Sequence, residues 1–190
     1  VFVRGNKNDY ERWEDFGLKS WSYNKVLPYF KKIENWSGGE NQYRGSLGPL
    51  PVNQSKNNNP LFKAFLNASS EAGHKTNLDM NGEHQEGFGM FDTTIHKGER
   101  ASVSRYYLNP AKKRKNLNIF SNSFVEKIIF EGKKAIGIEV KIKDKVEKVY
   151  AEKEVILSGG SINSPQLLML SGVGDSDHLK QKGINVIQDL

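Results

Sequence analysis

Apolar residues change their spacing once along the chain. Up to about residue 110 they recur in short runs at helical spacing; from Leu117 onward they alternate. Residues 1–20 are polar, with Trp13 and Phe16 leading to Trp21. Ser22 is placed to cap a helix through SYNKVLPYFKKIENW, where Val26, Leu27, Phe30 and Ile33 share a face. Pro28 falls just past its first turn, where distortion is tolerable. Gly38, Gly39, Gly45 and Gly48, with Pro49 and Pro51, predict a loop. Asn59-Pro60 opens the clearest helix, running to about Ala72, with Leu61, Phe62, Phe65, Leu66 and Ala68 as its buried stripe and Gly73 as its stop. Residues 74–99 are rich in glycine and polar side chains and predict an irregular excursion, a type of segment that usually serves binding or forms a lid. A short helix is expected from Ser102 to Leu108.

The alternating half begins with NLNIFSN and continues through VEKIIFEG, AIGIEVKIKD and KVEKVYAE, with turns at Glu131-Gly132-Lys133-Lys134 and Lys143-Asp144-Lys145. The pattern is that of an antiparallel meander with one wet, lysine-rich face. It leads into Glu154-Val155-Ile156-Leu157-Ser158, apolar without alternation, the signature of a strand covered on both faces in a parallel sheet. The expected architecture is a parallel α/β layer carrying a small antiparallel insert.

Composition narrows the classes. The chain has 190 residues, 36% of them hydrophobic, with a mean hydropathy of -0.64, as in a soluble protein. No apolar run approaches the roughly 18 residues of a membrane-crossing helix. VFVRGNKNDYERW shows no leader pattern; the chain begins without Met and reads as an internal piece. A cytoplasmic location, or a peripheral one at an inner membrane, is expected. With no cysteine, disulfides, thiolate metal sites and a Cys nucleophile are excluded. The net charge of +6 and pI of about 9.3 raise nucleic acid as a partner, but the lysines are scattered and the one dense run, Lys112 to Lys115, reads as a solvated turn, so no nucleic-acid partner is expected.

The candidate chemistry lies at EVILSGGSINSPQLLMLSGVG, Glu154 to Gly174. Leu157 ends the buried strand, and Ser158, Gly159 and Gly160 follow at its carboxyl end, where open α/β sheets bind ligands. Ser164 as N-cap and Pro165 as first helical residue predict a helix whose amino end points back at the glycines. Free N–H groups and a positive dipole end favour a phosphate or another anion there. A plain strand–turn–helix crossover would also use two glycines. No Gly-Lys-Ser/Thr follows, so the turn is not a P-loop.

GSINSPQLLMLSGVG, Gly160 to Gly174, resembles the second signature of the glucose–methanol–choline (GMC) flavin oxidoreductases, and VFVRGNKNDYE resembles the tail of their first, with Phe2, Gly5 and Glu11 at its aromatic, small and polar positions. The order of YRGSLGPLPV, EGFG, GERASVSRYYLNPA, NLNIFSNSFVEKIIFEGKKAIGIEV and INSPQLLMLSGVGDSDHLKQKGI is similar to the choline-dehydrogenase-like branch. The resemblance implies an FAD/NAD(P)-binding, Rossmann-like parallel sheet with an antiparallel β-meander and part of a GMC substrate-binding domain. Residues 1–20 would end a first FAD-domain segment, 21–115 would lie on the substrate side, and 116–190 would return to the FAD domain. It implies FAD as cofactor, a small-molecule alcohol oxidised by hydride transfer, and an electron acceptor that is a quinone, another acceptor or O₂. The family's GxGxxG turn is absent and its catalytic histidine would fall beyond Leu190, so the chain alone is expected neither to hold FAD firmly nor to turn over.

Among cofactor contacts, Val1 would end the segment that runs beside the flavin. Val125, after the strand NLNIFSNSF, would offer main chain to adenine; a core residue opening the meander is the other reading. Ser158, Gly159, Gly160 and Ser161 would lie close to the dinucleotide. Arg100, Ser102, Tyr107 and Leu108 match a family-like Arg-x-Ser…Tyr-Leu segment read as packing, with a phosphate contact at Arg100 as the alternative. His74, His84, His96 and His178 match no catalytic position and no metal spacing. Asp175 and Asp177 lack a paired carboxylate, and Ser158 and Ser171 lack a GxSxG elbow. A GMC-fold lyase with a non-redox flavin and a basic binding module remain as rival functions.

Overall fold

The computed structural model describes residues 1–190, which form two compact units, Val1–Leu117 and Asn118–Leu190. The mixed α/β class is observed. No helix is long and apolar enough to cross a membrane.

The first unit opens with helix α1 (Lys7–Asp15), capped by the Asn6 side chain, which accepts from the Asn8 N–H at 2.9 Å. Periodicity missed this helix because it buries no residue. It packs through its aromatics instead: the Tyr10 ring lies 5.8 Å from Phe30 of helix α2 (Tyr23–Ile33), and Trp13 lies edge-on to Trp21 at 5.7 Å. Ser22 stands at the expected N-cap position of α2, but its side chain makes no capping bond. The helix ends at Ile33, earlier than expected, because Glu34–Trp36 turns into strand β1. Strand β2 (Leu50–Gln54) runs parallel to β1, pairing Glu34 with Leu50 and Trp36 with Val52; β3 (Asp92–Thr93) closes the sheet antiparallel to β2. The intervening glycines serve close approach. A Cβ at Gly45 would meet the Lys31 carbonyl oxygen at 2.0 Å.

Helix α3 (Pro60–Glu71) starts at Asn59-Pro60, and Asn59 caps Leu61 N–H at 2.9 Å. Its predicted stripe is a correction. Leu61 is 77% exposed and Phe65 57%, and the helix buries only Ser69. The apolar face exists but is only partly covered: Phe62 and Leu66 are half-buried and Phe65 lies 5.6 Å from the Phe88 ring. The excursion at 74–99 holds β4 (Ile95–His96) and β5 (Glu99–Arg100) as a small hairpin, and the expected short helix is a π-turn (Ser104–Leu108) followed by α4 (Asn109–Ala111).

The second unit is built on the predicted meander: β6 (Ser123–Glu131), β7 (Lys134–Ile142) and β8 (Lys145–Tyr150), antiparallel in that order. Lys143 and Asp144 both take positive φ, 47° and 67°, in the two-residue turn that matches strand twist. NLNIFSN is not a strand; Ile119 and Phe120 are exposed. Glu154–Ser158 likewise forms no strand, and Ile156 is 76% exposed. An extended segment becomes a strand only through hydrogen bonds to a neighbour, and no strand of this chain pairs with either segment.

Helix α5 (Gly160–Leu170) packs against β6, and Ser171 fastens the contact. Its buried hydroxyl accepts from the Ile128 N–H at 2.8 Å and donates to the Leu167 carbonyl at 2.6 Å. Helix α6 (Ser176–Gln181) is capped by Asp175, which accepts from the His178 N–H at 2.7 Å, and it buries Leu179 completely.

Candidate functional site

The glycine turn differs in one respect from its sequence reading. Helix α5 starts at Gly160, so Pro165 lies inside it and Ser164 is not its cap. The Ser164 hydroxyl instead accepts from the Gly159 N–H at 2.9 Å. Starting the helix earlier places its free amino end on the glycines themselves. Gly159 is right-handed (φ -77°, ψ -3°) and Gly160 has φ +90°, the succession in which neighbouring N–H groups turn toward one concavity. Beyond the Ser164 hydroxyl no side chain bonds this end, and its first turn has no acidic residue. A Cβ built on Gly160 meets nothing within 4 Å. Ser158, Gly159, Gly160 and Ser161 are all exposed.

The other candidates stand apart from this turn. Val125 is the third residue of β6 rather than the residue after a strand; it faces Val140 in register and is half-buried. Glu126 bulges out of the ladder just after it, since Lys127 already pairs with Glu139. Val1 belongs to the other unit and is 82% exposed. His74, His84 and His178 are exposed, His96 half-buried, and no cluster of metal-ligating side chains exists. Tyr107 donates from its hydroxyl to the Ile33 carbonyl at 3.4 Å, and Ser102 accepts from the Arg105 N–H at 3.2 Å, both local packing contacts within the first unit.

The most ordered polar feature was invisible in the sequence: a buried ionic hub in the first unit. Glu34 receives Arg4 at 2.5 Å and Arg44 at 3.1 Å. Arg44 also reaches Asp79 at 2.5 Å and Asp92 at 2.8 Å, and its guanidinium stacks 4.2 Å from the Trp36 ring centre. The side chains of Arg44 and Glu34 are fully buried. Burial alone would lower the Arg44 pKa, but hydrogen bonds and charge from Glu34 and Asp92 outweigh it and raise it. For Arg4 burial wins over the pull of Glu34, and its pKa is lowered. Asn81 completes the hub, donating to Asp92 at 3.1 Å. Beside it opens a cavity of about 490 Å³ bordered by Arg4, Lys7, Asn24, Tyr43, Asn81 and Gln85. The five charged members come from positions 4, 34, 44, 79 and 92, so no local spacing marks them.

The GMC oxidoreductase family model matches residues 1–188. This chain belongs to the GMC oxidoreductase family. Human mitochondrial choline dehydrogenase is 50% identical over 187 residues, which are 98% of this chain and 32% of that protein. An oxygen-dependent choline dehydrogenase from Staphylococcus xylosus is also 50% identical over 187 residues, covering 97% of this chain and 33% of that protein. Among solved structures, an FAD-dependent oxidoreductase from Chaetomium thermophilum superimposes with a TM-score of 0.92 at 31% identity, covering the whole chain and 35% of its own. Pyridoxine 4-oxidase from Mesorbium loti gives 0.91 at 30%, covering 99% and 37%. The chain thus spans about a third of the length of these GMC relatives.

Proposed function

We propose that the chain is part of an FAD-dependent oxidoreductase that oxidises a CH–OH donor to an aldehyde or ketone. The observation that carries the reading is the amino end of α5: exposed main chain at Gly159-Gly160, with no acid in the first turn and open space where a Gly160 side chain would stand, fits a close approach by the anionic part of a dinucleotide. FAD, when bound, supplies the hydride acceptor. In this reading Ser158, Gly160 and Ser161 hold the dinucleotide through main-chain donors, while Gly159, whose N–H goes to the Ser164 hydroxyl, lets the backbone come close. Val125 offers main chain to the adenine, at the point where the bulge at Glu126 opens the β6 ladder. Val1 lies along the flavin. No base is assigned among the histidines of this chain.

Relatives named choline dehydrogenase make choline the first alcohol to test, with a quinone or O₂ as final acceptor. The full-length protein, purified without added flavin, is expected to show an absorbance band at about 450 nm. Anaerobic addition of choline or a panel of small alcohols should bleach it. A colourless, folded full-length protein would overturn the proposal. A yellow one that no alcohol bleaches would overturn the substrate class while keeping the cofactor.

A further inference from the structure

The first four residues are held by bonds of unusual completeness. Phe2 donates its N–H to the Asp92 carbonyl at 2.7 Å, and its carbonyl accepts from Asn81 Nδ2 at 3.1 Å. Arg4 donates its N–H to Asn81 Oδ1 at 2.8 Å, and its carbonyl accepts from Gln85 Nε2 at 2.7 Å. The Arg4 side chain adds Tyr43 O at 2.6 Å and Glu34 at 2.5 Å. All main-chain polar groups of residues 2 and 4 are therefore spoken for, and one side chain, Asn81, makes two of the four bonds while also reaching Asp92. Asn81 itself is buried, 4% exposed, and its own N–H is held by Asp79 Oδ1 at 3.0 Å.

Exposure along the segment alternates. Phe2 and Arg4 face the hub; Val1 and Val3, at 82% and 47% exposure, stand out from it. Alternation is what an extended segment pinned along one edge produces. The hub thus decides where Val1 and Val3 stand, although it touches neither side chain.

We infer that Asn81 is a positioning residue for the flavin site: with Gln85 and Asp92 it pins the Phe2–Arg4 main chain and so sets the place of Val1 against the cofactor. This rests on the functional reading above, in which Val1 lies along the flavin. The choice of an amide is chemical. Asn81 must accept from one main-chain N–H and donate to both a carbonyl and a carboxylate, which neither Asp, Leu nor Ser does. A shift of the pinned segment moves the wall of the cofactor site without removing any group that contacts substrate. Displacements of about 1 Å cost up to about 100-fold in rate.

The test uses the full-length, FAD-loaded protein with Asn81→Ala and, separately, Gln85→Ala, which frees only the Arg4 carbonyl and one contact to Asn6 at the cavity rim. Visible circular dichroism of the bound flavin, kcat and KM are measured on each. The expected result is a changed flavin dichroism with full FAD content, and kcat lowered about tenfold for Asn81→Ala with KM within about twofold, the split of a group that acts on geometry rather than on ground-state binding. Gln85→Ala should change both readouts in the same direction, by less. If Asn81→Ala does not fold, Gln85→Ala decides alone. Variants that fold with wild-type dichroism and wild-type kcat overturn this inference alone. A wild-type protein without flavin overturns the functional reading and this inference with it.

Discussion

Arg44 shows how far a single residue's worth depends on what surrounds it. Its charge is shared among Glu34, Asp79 and Asp92 with no solvent contact. Arg44→Ala would leave three carboxylates facing one remaining guanidinium, and loss of one partner from a buried ion pair costs about 3–5 kcal/mol. Urea denaturation of the full-length protein should register that loss. The exposed pair Arg12–Asp9, 3.0 Å apart, is the internal control: Arg12→Ala should change stability by no more than about 0.5 kcal/mol. Arg44 has a folded pKa raised above its ordinary value, so its stabilisation is fully present across the neutral range and is lost only at strongly alkaline pH. Between about pH 5 and 9 Arg44 therefore contributes no pH dependence to stability, which a pH series of melting temperatures for the wild type and for Arg44→Lys would check. None of this was legible in the sequence, where no local spacing links Arg44 to Glu34, Asp79 and Asp92.

At the scale of elements, local signals succeeded wherever a segment satisfies itself. Asn59-Pro60 marks the start of α3, and the two tight turns mark the meander. They failed where a segment needs a neighbour: Glu154–Ser158 has a strand's composition and no partner, and the stripe of α3 has an apolar face that is only partly covered. Ser171 explains part of the Ser-Gly-Val-Gly motif on its own terms, since its hydroxyl joins α5 to β6. Ser171→Ala orphans the buried Ile128 N–H and should cost about 1–3 kcal/mol, read by chemical denaturation. Gly160→Ala meets no steric obstacle but forces a side chain onto φ +90°. A loss of about 1 kcal/mol or more in stability is expected, together with weaker retention of FAD on dilution of the full-length protein.

For the molecule as a whole, the decisive feature is the apolar surface left open on both units: Leu61 and Phe65 on the first, Phe120, Phe124, Ile156 and Ile162 on the second. Exposed apolar area on this scale marks interaction surfaces. Expressed alone, the 190-residue chain should bind a hydrophobic dye such as ANS strongly and retain no flavin, whereas the full-length protein should bind the dye weakly; comparing ANS fluorescence at equal molarity checks this. The short motifs that resembled the family were legible because they encode backbone geometry locally: glycines where φ must be positive, a proline where φ is already set, alternation where one face of a sheet is wet. The existence of α2 and α3, the meander and the glycine turn followed from nearest neighbours alone. The start of α5 at Gly160, the ionic hub of Arg4, Glu34, Arg44, Asp79 and Asp92, and the pinning of Phe2 and Arg4 by Asn81 were decided only by folding. The hub and the pinning depend on groups ten or more residues apart meeting in a dry interior, where a charge or a main-chain amide must find a partner or pay for its absence.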